Sequence, residues 1–63
     1  MNSHVLFNNF IQTQFGLNLS DVFNLRIAVA DGVESEIERI QGYIEAFRGV
    51  YGDRLADEIA RII

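Results

Sequence analysis

The chain has no Cys, no Pro, no Trp and no Lys, and only one His among its 63 residues. Without Cys there is no disulfide, no thiolate metal site and no thiol nucleophile. Without Pro, the punctuation of the chain falls to its five Gly. Charge is missing from a whole segment: residues 1 to 20 carry no Asp, Glu, Arg or Lys, only His4 and the amides Asn2, Asn8, Asn9, Gln12, Gln14 and Asn18. Long apolar runs are absent too. The longest falls far short of the roughly 20 residues of a membrane span, and no basic stretch precedes an apolar one as in a signal peptide. A soluble, cytoplasmic chain with no membrane partner is expected.

What is present is apolar and acidic. The hydrophobic fraction is 49%, with five Phe and two Tyr, too rich for a disordered chain. Nine acids against five Arg give a formal charge of −4, so the summed field repels nucleic acid and anionic lipid. A domain of this size buries only about 60% of the surface its unfolded chain exposes. Self-association is the remaining route to stability once disulfides and metals are set aside, and a homodimer is expected.

The strongest pattern is Val33, Ile37, Ile40, Ile44, Phe47 and Tyr51, which alternate at spacings of four and three. That is the heptad stripe of a helix that buries one narrow face against another helix, and it predicts a dimer or partner interface. Upstream, Leu6, Phe7, Phe10, Ile11 and Phe15 share one helical face and end at Gly16, placed to close the helix in a left-handed turn with Leu17 folding back on Ile11. Ser3 is the expected N-cap. Phe7, Phe10 and Phe15 are candidates for partner binding, against the simpler reading that they form core.

Residues 18 to 31 admit two periods. Val22, Leu25 and Val29 recur at helical spacing, with Ser20 as cap and Asp21 in the first turn. Leu25, Ile27 and Val29 also alternate with Asn24, Arg26 and Ala28, a strand period that only a second copy of the chain could pair. Helix is preferred. The alternative is an intermolecular two-stranded ribbon followed by helices, which in layout alone resembles a ribbon-helix-helix repressor over residues 24 to 63. That resemblance implies Arg26 and Ala28 on the face meeting base edges, and a small dimeric DNA-binding regulator as the alternative function. Against it, Arg26 stands alone, and Glu34, Glu36 and Glu38 would meet phosphates. A helix-turn-helix arrangement meets the same wrong sign.

Two overlapping capping boxes, Asp31 with Glu34 and Ser35 with Glu38, are expected to open the third helix. Glu36 with Arg39 and Glu45 with Arg48 form pairs on its solvated side. Gly42 inside this helix is read as either a close approach to a neighbouring backbone or an indifferent surface position. Gly52 ends the helix and Asp53 caps a last one carrying Leu55, Ile59, Ile62 and Ile63; an unbroken helix from Val33 to Ile62 is the alternative. The expected architecture is all-α, a single domain over residues 1–63 with helices at about 3–15, 20–31, 33–51 and 53–62.

Chemistry has few instruments here. His4 has no Ser, Cys or Asp at a motif spacing, and Glu34 with Glu38, or Asp53 with Asp57, read as first-turn acids that complement helix dipoles. No enzyme activity, catalytic residue, cofactor or metal is expected. A small acidic regulatory adaptor of the bacterial or phage accessory type is, with itself and a second protein as partners.

Overall fold

The computed structural model describes residues 2–62, the side chain of the last aside. Among them are four helices and no strand: α1 (Ser3–Phe15), α2 (Leu19–Ala30), α3 (Glu34–Tyr51) and α4 (Asp53–Ile62). Residues 24–30 are therefore helix. The ribbon alternative, and with it the likeness to ribbon-helix-helix repressors, is overturned, because Val22 and Leu25 find burial one turn apart on a helix without needing a strand from another chain. Ile63 and the side chain of Ile62, expected to extend the apolar face of α4, lie outside the described residues.

Each junction has a local cause. α1 ends at Gly16, whose φ of 71° and ψ of 25° is the left-handed cap foreseen from the sequence. Its start differs: Asn2, not Ser3, is the N-cap, and its side-chain oxygen accepts from the His4 backbone N–H at 2.8 Å. The N-cap of α2 is likewise displaced, two residues before Ser20. Asn18 accepts from the Asp21 N–H at 2.8 Å, and the Asp21 carboxylate accepts from the Asn18 N–H at 3.1 Å, a reciprocal capping box.

Between α2 and α3 neither expected capping box forms. The Gly32 N–H donates to the Val29 carbonyl and the Val33 N–H to the Ala28 carbonyl, with Gly32 at φ 80°, which together make a Schellman stop. Asp31 is thereby held as the C-cap of α2, and Val33 becomes the N-cap of α3 with no side chain able to accept. Val33 compensates through its carbonyl, which accepts from Glu36 and Ile37. Ser35 is already helical, too late to cap. The break at Gly52 does occur, and Asp53 is the first residue of α4.

α1 and α3 each pack against all three other helices, whereas among the described residues the backbones of α2 and α4 do not approach each other. The shared core holds Phe7, Phe10 and Ile11 from α1, Val22 and Leu25 from α2, Ile40, Ile44 and Phe47 from α3, and Ala56 and Ile59 from α4. Phe47 is its hub: the rings of Phe7 and Phe10 meet it edge-on at 5.3 and 5.5 Å. The radius of gyration, 10.7 Å, agrees with the roughly 10.6 Å expected of a compact chain this long. The accessible surface, 3988 Å², falls close to the roughly 4,100 Å² of a folded monomer of this mass. One copy thus closes its own core.

Candidate interaction surfaces

The α3 stripe serves the chain's own core first. Ile40, Ile44 and Phe47 are buried among α1, α2 and α4, and Ile37 is half-buried. A second copy cannot reach the middle of this stripe in the folded chain. Only its ends, Val33 and Tyr51, are exposed. The heptad spacing identified a buried helical face correctly, but spacing carries no information about which chain supplies the opposing face.

The N-terminal Phe set divides in the same way. Phe7 and Phe10 are buried in the core, the simpler of their two readings, and are closed to a partner in the folded chain, while Phe15 is 43% exposed. Its ring lies 4.5 Å from that of Tyr43 and 6.2 Å from that of Phe10. Phe10 in turn meets Tyr51 at 6.0 Å. The last turn of α1 and the C-terminal half of α3 therefore share an aromatic edge, with Phe15, Tyr51 and the neighbouring Val50, 65% exposed, facing outward. No charge lies among these three.

A second open face runs along α2. Leu19, Phe23 and Ile27 are 53%, 55% and 59% exposed and recur every fourth residue, so they stack in a row on successive turns. The sequence reading missed this row. It saw the inward set Val22, Leu25 and Val29, and spent Ile27 on a strand period. A 12-residue helix that is apolar on two faces was the available signal.

The single imidazole is better anchored than its position near the terminus suggested. His4 Nδ1 meets Arg26 Nη2. A guanidinium can only donate, so Nδ1 accepts and Nε2 carries the proton. Burial, then the Arg26 charge, pushes the His4 pKa below its usual 6.5, and Glu58 opposes this more weakly. Arg26 also lies over the Phe7 ring, its Cζ 5.6 Å from the centroid, and burial lowers its pKa too. It is turned toward α1, not presented as a free cation. His4 Nε2 and Asn8 Oδ1 are buried without hydrogen-bond partners among the described residues.

The acids at the α3–α4 junction are organised by one cation. Arg48 donates to Glu45 at 3.1 Å, to Asp53 at 3.2 Å and to Asp57 at 2.8 Å, and these three contacts push its pKa upward. Asp53 and Asp57, paired on one helix face, thus face a guanidinium. Arg39 with Glu36 at 3.2 Å reproduces the other anticipated pair. At the start of α3, Glu34 and Glu38 are exposed and Glu36 is half-buried, which leaves this helix end acidic.

No family model matches the chain, and neither a curated protein nor a solved structure matches it. Among the described residues no helix is long and apolar enough to cross a membrane.

Proposed function

We propose that the chain is a small acidic regulatory adaptor that works by binding another protein and by pairing with itself, and that it carries out no chemistry of its own. The observation that supports the reading is the aromatic edge. Phe15 and Tyr51 stay open beside the nearly buried Phe10, with Val50 exposed next to Tyr51 in the chain, and the buried core includes none of the three. Exposed aromatic side chains, bordered by the Arg39 guanidinium over the Tyr43 ring, are the composition of an interface centre and its edge. A nucleic-acid partner is disfavoured by the acids that open α3 and by the engagement of Arg26 with His4 and Phe7.

The test is comparative capture from a lysate of the source cells. Wild-type protein should retain a partner that Val50→Asp loses while keeping the same helix content, since Val50 makes no core contact. Salt-sensitive binding to duplex DNA at low micromolar concentration, with no such partner, would replace this reading by the DNA-binding one.

A further inference from the structure

The row on α2 has a symmetry that the aromatic edge lacks. Phe23 is at its centre, with Leu19 four residues before and Ile27 four residues after. When two such helices cross antiparallel at Phe23, Phe23 meets its own mate and each Leu19 faces the other copy's Ile27. A two-fold interface requires this self-complementarity, since one patch must fit itself. We propose that the α2 face pairs two copies of this chain, antiparallel, with the two-fold axis at Phe23. The inference rests on the self-association in the adaptor reading and moves it from α3, where the sequence had placed it, to α2.

Charge favours a second copy as occupant. Each chain carries a net −4, so two copies repel through most faces, and seven of the nine acids lie in residues 34 to 63. The span Leu19–Ala30 carries one Asp and one Arg, and none in the row itself. Repulsion between copies is weakest there. Antiparallel pairing also sets the two Arg26 about 9 Å apart along the helix axes, whereas parallel pairing would bring them level.

Area places the pair at the small end of specific interfaces. The row presents on the order of 100 Å² per side chain, about 300 Å² per copy. With the flanking positions of a helix about 18 Å long, the pair buries about 1,000 Å² in total, the lower limit for a specific interface. A transient dimer follows, with a Kd on the order of 10–100 µM.

Sedimentation equilibrium from about 5 µM to about 1 mM tests this. Wild type should pass from monomer to dimer, and Phe23→Arg should stay monomeric throughout with unchanged circular dichroism, because the side chain is outside the core. Since the chain has no Cys, Phe23→Cys is a second probe. Helices packed 8–10 Å apart bring the two Cα atoms at the axis within disulfide reach, so mild oxidation should link this variant to its mate faster than Val50→Cys. A wild type that stays monomeric throughout would overturn both this inference and the self-association it rests on. A dimer that survives Phe23→Arg and forms no disulfide at position 23 would overturn the α2 assignment alone.

Discussion

Phe47 and His4 show how unequally single residues bear on this fold. Phe47 is fully buried where the rings of Phe7 and Phe10 meet it, so Phe47→Ala should cost about 3–5 kcal/mol. A chain of this size has only about 3–9 kcal/mol of stability in total. Urea denaturation should therefore show the variant losing about a third or more of the wild-type stability, while Val50→Ala stays within about 0.5 kcal/mol of wild type. His4 acts through protonation. Its pKa is lower in the folded chain than the usual 6.5, so between those two values the unfolded chain binds more protons. This contribution is fully present above pH 6.5, declines as pH falls through that window, and levels off below the folded value. Urea midpoints measured from pH 7.5 down to pH 5 should fall more steeply for wild type than for His4→Gln.

The helix ends are where local rules compete. Asn18 closes a reciprocal capping box, so Asn18→Ala should lower stability by about 1 kcal/mol, whereas Ser20→Ala, Asp31→Ala and Ser35→Ala, none of whose side chains caps a helix N-terminus, should have little effect. Urea midpoints for the four variants would rank them directly. Gly42 was open to two readings, and the structure selects the bland one: a Cβ there meets nothing within 4 Å. Gly42→Ala should consequently stabilise the protein by up to about 1 kcal/mol, since only helix propensity changes. Gly32→Ala, at φ 80°, should do the reverse. Arg48 joins the last turn of α3 to the first turns of α4 through exposed carboxylates. Arg48→Met should lower the thermal midpoint in dilute buffer, by a margin that shrinks as salt is added.

At the scale of the whole molecule, every helix contributes to one core, and none is spare. α1 supplies Phe7, Phe10 and Ile11, so removing residues 1 to 16 would strip three of the buried side chains and open an apolar groove among α2, α3 and α4. The truncated chain should aggregate or lose its cooperative thermal transition by circular dichroism; a soluble fragment with an unchanged midpoint would show that α1 is an appended docking element instead. Ile44→Asp should also unfold the chain as a monomer, since it buries an unpaired carboxylate in the core. Loss of fold in that variant is therefore expected whether or not the chain pairs with itself.

Because hydrophobic periodicity and glycine placement act within a few residues, the sequence located the helices. The face carrying Ile40, Ile44 and Phe47, the stop at Gly16 and the break at Gly52 were all legible at that range. It also determined that Glu36 with Arg39 and Glu45 with Arg48 would pair, since each pair sits on successive turns of one helix. Cap identity was less legible, since Asn2, Asn18, Ser3 and Ser20 are all competent caps and a shift of one or two residues decides among them. Helix packing consumes the α3 stripe within its own chain, makes Phe7 and Phe10 core while Phe15 stays open, and brings His4 to Arg26. Each is a contact between helices. Periodicity defines a helix's apolar face, but what covers that face depends on how the loops fold the helices back on one another. On α2 that packing covered Val22 and Leu25 and left Leu19, Phe23 and Ile27 in solvent.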